Sequence, residues 1–187
     1  MQVEKLALDG AFVLTPKRFG DARGFFSETY NKRAFDAAVG PVDFVQDNHS
    51  LSRDAGVLRG LHFQTPPHAQ AKLVRVPRGR VLDVIVDLRG GSPTYGQHAA
   101  VELSGENWKQ LFVPEGFAHA FLTLEPDSEF CYKVTDFYAP DHDSGLRFDD
   151  PDLAIDWPMP LADITLSDKD RALPAFRDFK SPFTYQP

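Results

Sequence analysis

The residues of this chain whose types could do chemistry lie in short, separated pieces. They are Val57-Leu58-Arg59-Gly60-Leu61-His62-Phe63-Gln64, Lys72, Pro114-Glu115-Gly116-Phe117-Ala118-His119, Tyr132 and Lys169-Asp170. Together they offer an imidazole base, a carboxylate to orient it, a phenol acid and several cations. A histidine held by a carboxylate is a competent base near neutral pH. A cation beside a carbonyl oxygen stabilises the negative charge that grows there when the neighbouring carbon loses a proton. The set therefore suits proton abstraction next to a carbonyl on an anionic substrate.

Two other chemistries compete for these residues. The piece from Pro114 to His119 matches the second half of the cupin signature, whose histidine often binds a metal. The first half usually carries two histidines one residue apart and then a carboxylate. Here that place reads His62-Phe63-Gln64, with no acid between Gln64 and Asp83. At least two ligands of a typical metal site are missing, so no metal is expected. Nucleophilic catalysis finds no Gly-x-Ser-x-Gly elbow, and Cys131 alternates out of phase with Tyr132. Phosphate loops and dinucleotide fingerprints are also missing, so no nucleotide cofactor is expected.

Short strands must position these side chains. Fifteen prolines and 13 glycines break the chain into apolar runs of strand length. Leu73–Val76, Val81–Leu88, Ala99–Leu103, Gln110–Val113, His119–Leu124 and Phe130–Thr135 are the expected strands, separated by turns such as Pro77-Arg78-Gly79. The fold class is all-β, a sandwich or barrel with few helices. Period-two alternation puts Leu58, Gly60, His62 and Gln64 on one face. It likewise groups His119 with Phe121 and Thr123, and Tyr132 with Phe130 and Val134. One helix is expected over Asn31–Val39, capped by Asn31 and stopped by Gly40-Pro41. A second, short one follows Ser167. The tail, with Phe176, Phe179, Phe183 and Tyr185, is expected to pack on the domain.

The chain of 187 residues fits a single domain spanning residues 1–187. A net charge of −7 argues against nucleic-acid and anionic-membrane partners, which need a basic face. A small anionic ligand remains open to a local cluster of Arg23, Arg59, Lys72 and His119. No apolar run approaches a membrane span and no apolar signal segment follows Met1. The single cysteine suits a reducing, cytoplasmic setting and reads as a small hydrophobe within its strand.

At these residues the chain resembles the dTDP-4-dehydrorhamnose 3,5-epimerase family, enzymes of cupin, jelly-roll fold. The resemblance is carried by Phe19-Gly20-Asp21-Ala22-Arg23-Gly24-Phe25-Phe26-Ser27-Glu28, Gln46-Asp47-Asn48-His49-Ser50 and Val57–Gln64. It continues through Gln70–Val74, Val113–Phe121, Tyr132, Tyr138, Asp143-Ser144-Gly145 and Leu166–Asp170. It implies a cofactor-free and metal-free epimerase inverting C3 and C5 of dTDP-4-dehydro-6-deoxy-D-glucose, with His62 the base, oriented by Asp170. Tyr132 would protonate the opposite face, and Lys72 would stabilise the enolate oxygen, with His119 nearby. Arg23, Phe26, Glu28, Gln46, Asn48, Arg59, Asp143 and Lys169 would bind the nucleotide sugar, and Tyr138 would stack on the thymine. It also implies a homodimer whose N-terminal segment crosses to the partner's site, so that Arg23 and Glu28 serve the other subunit. The alternatives are a relative acting at one carbon or on another 4-keto sugar, a non-catalytic nucleotide-sugar-binding cupin, and a metal-dependent cupin oxygenase.

Overall fold

Strand Gln110–Val113 is buried at every residue and Phe117–Thr123 likewise, as strands enclosed between two layers must be. A computed structural model describes residues 1–186. Its strands are β1 (Gln2–Lys5), β2 (Phe12–Thr15), β3 (Phe19–Asp21), β4 (Gly24–Phe26), β5 (Gln46–Ser52), β6 (Leu58–Gln64) and β7 (Lys72–Arg78). They continue with β8 (Arg80–Asp87), β9 (His98–Ser104), β10 (Gln110–Val113), β11 (Phe117–Thr123), β12 (Ser128–Val134) and β13 (Asp143–Gly145). A six-stranded sheet runs β1-β2-β10-β7-β12-β5 and a five-stranded sheet runs β13-β6-β11-β8-β9. The two pack face to face as a cupin-type jelly roll, and β3 and β4 form a separate hairpin.

All six strands expected between Leu73 and Thr135 are present, with ends displaced by up to a few residues. Helix α1 (Lys32–Ala38) is capped by Asn31, whose side chain accepts from the Ala34 N–H at 3.2 Å. Its buried Phe35 packs edge-on against Phe44 and Phe112. Helix α2 (Asp168–Arg171) starts at Ser167, whose hydroxyl accepts from the Asp170 N–H at 3.1 Å. In the tail, Phe179 and Phe183 pack edge-on against Phe63, and the Tyr185 hydroxyl donates to Asp9 at 3.1 Å. Cys131 sits half-buried on β12, on the face turned away from Phe130 and Tyr132.

Strand β6 departs from simple alternation. His62 pairs with His119 and Arg59 with Phe121, so three steps on β6 oppose two on β11. This bulge turns Arg59 and His62 toward the same cavity, while Leu58, Leu61 and Phe63 join the core. The expected alternation through Leu58, Gly60, His62 and Gln64 is therefore broken between residues 59 and 62, where Arg59 joins the side of His62. Gly60 has φ +124°, and a Cβ there would lie 2.5 Å from the His119 carbonyl oxygen and 2.7 Å from the Ala120 Cβ. Gly60→Ala is expected to cost about 1–3 kcal/mol through overpacking. Urea unfolding checks this, and an unchanged midpoint would contradict it.

Candidate active site

A cavity of about 530 Å³ opens between the sheets. Its lining includes Asn48, Arg59, His62, Lys72, His119, Tyr132, Lys169 and Asp170. The sheets put the expected base and acid on opposing walls: His62 and His119 come from β6 and β11, Tyr132 and Lys72 from β12 and β7. Among the described residues, no three His, Cys, Asp or Glu side chains gather to hold a metal ion.

Capping by Ser167 sets the first turn of α2, and that turn buries Asp170 to 4% exposure. His62 Nε2 lies 2.5 Å from Asp170 Oδ1. With Nε2–H donating to the carboxylate, the lone pair of His62 is left on Nδ1. Burial pushes the Asp170 carboxyl up, but the hydrogen bond and charge of His62 outweigh it and hold the group below its usual range. Asp170 therefore stays an anion that fixes the ring.

A second imidazole–carboxylate pair lies beside the first. His119 Nε2 is 3.0 Å from both oxygens of Asp83, which is fully buried. Burial lowers the His119 pKa despite the Asp83 charge, so a neutral ring donates to the carboxylate. Lys72 has neither an ion pair nor a hydrogen bond among the described residues. Burial lowers its pKa to about 8, and the charges of Asp83 and Asp143 partly offset that fall. Among the described residues the ammonium is thus an unpaired cation of the cavity lining, as is the Arg59 guanidinium. Burial raises the Tyr132 phenol, only partly countered by nearby Arg59, so it carries its proton at neutral pH.

The expected residues Gln46, Tyr138 and Asp143 do not line the cavity; a chain of contacts joins them to its lining residues Lys169 and Asn48. Lys169 pairs with Asp143, which accepts from the Tyr138 hydroxyl at 3.0 Å. The Tyr138 N–H donates to Gln46 Oε1 at 3.3 Å, and Gln46 Nε2 donates to Asn48 at 2.8 Å. Tyr138 leaves its ring 59% exposed.

Arg23, Phe26 and Glu28 are not brought to this cavity within one chain. They belong to the β3–β4 hairpin and the segment after it, where Arg23 pairs with Asp21 at 2.6 Å and Phe26 is 67% exposed. Asp83 is the residue that sequence reasoning missed. Its signal is a lone carboxylate inside the apolar run Val81-Leu82-Asp83-Val84-Ile85-Val86.

A family model described as dTDP-4-dehydrorhamnose 3,5-epimerase matches residues 5–178. The chain belongs to the dTDP-4-dehydrorhamnose 3,5-epimerase family. It is 53% identical to the dTDP-4-dehydrorhamnose 3,5-epimerase of Pseudomonas aeruginosa, over 95% of this chain and 97% of the relative. Among solved structures, an epimerase of this family from Legionella pneumophila, in complex with dTDP-4-keto-L-rhamnose, superposes with a TM-score of 0.94 at 42% identity. That match covers 100% of this chain and 99% of the other. The Bacillus anthracis epimerase with TDP and PPi bound is 49% identical, with a TM-score of 0.91, covering 94% of this chain and 99% of the other. In this member of the epimerase family, the base-type and acid-type residues thus face each other across one cavity. Of the carboxylates bonded to the two histidines, Asp170 lines the cavity and Asp83 is fully buried outside its lining.

Proposed function

We propose that this chain, as a dTDP-4-dehydrorhamnose 3,5-epimerase, inverts C3 and C5 of dTDP-4-dehydro-6-deoxy-D-glucose to give dTDP-4-dehydro-L-rhamnose. One observation carries the mechanism: His62, bonded by Asp170 of α2, and the Tyr132 phenol stand on opposite sheets of one cavity, with Lys72 on β7, the strand beside that of Tyr132. Nδ1 of His62 removes a proton from the carbon beside the C4 ketone. The electron pair moves onto the C4 oxygen, where the Lys72 ammonium meets the growing charge. One such donor is worth about 3–4 kcal/mol in the transition state. Tyr132 delivers its proton to the opposite face of the carbon; the His62 imidazolium then releases the abstracted proton to water and the tyrosinate takes one up from water, which resets both groups. The centre inverts because the proton leaves on one side and arrives on the other. The same cycle serves both carbons, because both flank one ketone. No step in it asks for a metal or cofactor.

Arg59 is suited to the pyrophosphate, because guanidinium groups grip phosphate oxygens with paired hydrogen bonds. Asn48, Gln46, Asp143 and Lys169 border the nucleotide end, and Tyr138 offers its exposed ring to the base. The functional unit is a homodimer in which the hairpin Phe19–Phe26 reaches the partner's cavity with Arg23, Phe26 and Glu28. Supporting this, Phe19, Phe25 and Phe26 are each more than half exposed on that hairpin.

Tyr132→Phe tests the opposed-face mechanism. The variant is expected to continue exchanging the C3 and C5 protons of the substrate with solvent while inverted product falls by about 10²-fold or more. Equal loss of exchange and of inversion would contradict Tyr132 as the acid.

A further inference from the structure

The loop from Asp136 to Ala139 carries Tyr138 outside any strand, so its backbone polar groups need partners that a sheet does not supply. Three glutamine side chains supply them. Gln70 Nε2 donates to the Asp136 carbonyl at 2.7 Å, and Gln46 Oε1 accepts from the Tyr138 N–H at 3.3 Å. Gln64 takes the residues on both sides of Tyr138: its Nε2 donates to the Phe137 carbonyl at 3.1 Å and its Oε1 accepts from the Ala139 N–H at 2.9 Å. Nε2 also donates to the His68 carbonyl at 2.7 Å. A primary amide offers the same donor and acceptor pair as a peptide unit, so Gln64 stands in for the missing neighbouring strand.

Gln64 is only 4% exposed, and it sits two residues beyond His62 on β6. It pairs in register with Asp143, the residue that accepts from the Tyr138 hydroxyl. Ring, loop and counter-charge of Tyr138 are thereby tied to the strand that carries the base.

We infer that Gln64 is a positioning residue that fixes Tyr138 for the nucleoside diphosphate and so sets the distance between nucleotide and base. The inference rests on the reading of Tyr138 as the nucleobase platform. Gln64 touches neither substrate nor reacting atoms, so its loss acts on binding before chemistry.

The test compares Gln64→Met, which keeps length without polarity, with Gln64→Glu and Tyr138→Ala. Calorimetry with dTDP, steady-state kinetics and thermal melts are read on each. Gln64→Met is expected to raise the dTDP Kd and the KM about tenfold, equivalent to ~1.4 kcal/mol, with kcat at saturation within about threefold. Adding Gln64→Met to Tyr138→Ala is expected to change the Kd little further, because both act through one ring. Gln64→Glu turns a donor into an acceptor facing two carbonyls. Its dTDP affinity is expected to recover, relative to the parent chain, as the pH is lowered and the buried acid gains a proton. A Kd and KM unchanged in Gln64→Met while Tyr138→Ala weakens binding would overturn the role of Gln64 alone. So would a lower Tm or kcat with dTDP binding intact, the mark of a purely structural amide. A Tyr138→Ala chain that binds dTDP normally would overturn the platform reading of Tyr138, and the inference with it.

Discussion

His62→Ala is expected to lower kcat by roughly 10³-fold or more, the upper part of the range for a lost general base. Binding of dTDP is expected to stay within about twofold, because the role proposed for His62 sets it against the sugar and not the nucleotide. Its ring lines the cavity against Asp170, whereas Tyr138 and Asp143 lie outside that lining. Asp170→Asn leaves the imidazole in place without the anion that holds Nε2–H, so a smaller loss of turnover is expected there. The check is kcat beside dTDP calorimetry for each variant. A His62→Ala chain with substantial turnover would require another base.

Lys72→Met is expected to do the next greatest damage, about 10²–10³-fold in kcat, the usual cost of removing one donor at a developing oxyanion. The same change is expected to stabilise the fold near neutral pH, because it removes a half-buried, desolvated ammonium with no hydrogen-bond partner among the described residues. The pH dependence has a definite sign. With its pKa lowered to about 8 from 10.5, Lys72 is charged below pH 8 and neutral above, so kcat/KM of the parent chain should fall as the pH rises through about 8. Between those two values the unfolded chain binds more protons than the folded one. Stability contributed by this group therefore rises with pH across that window. Urea midpoints and kcat/KM measured from pH 6 to 10 check both statements. A Lys72→Met chain that is active, or less stable at pH 7, would contradict the role given to the ammonium.

Much of the site was legible because its residues sit on strands whose apolar punctuation is plain, and because the motifs come in unbroken pieces. The caps of both helices were legible for the same local reason: Asn31 and Ser167 bond backbone N–H groups three residues on. Two features were not legible. The bulge that brings Arg59 and His62 to one wall depends on register against β11, which period-two alternation cannot foresee. Asp83 was passed over because its partner His119 lies 36 residues away, and only the pairing of β8 with β11 makes them neighbours. The His62–Asp170 pair, 108 residues apart, was available from family resemblance and not from spacing. The hairpin carrying Arg23 and Phe26, with Glu28 just after it, marks another boundary, since one chain leaves those residues away from its own cavity.

Solvent labelling of the product tests the account most directly. Chelator-treated protein would be incubated with dTDP-4-dehydro-6-deoxy-D-glucose in D2O, and the ketosugar analysed by NMR and mass spectrometry. Deuterium is expected at both C3 and C5 in a sugar of L configuration, formed at the same rate with or without added divalent metal. Label at C3 alone, or no label in a protein that binds the substrate, would contradict that expectation.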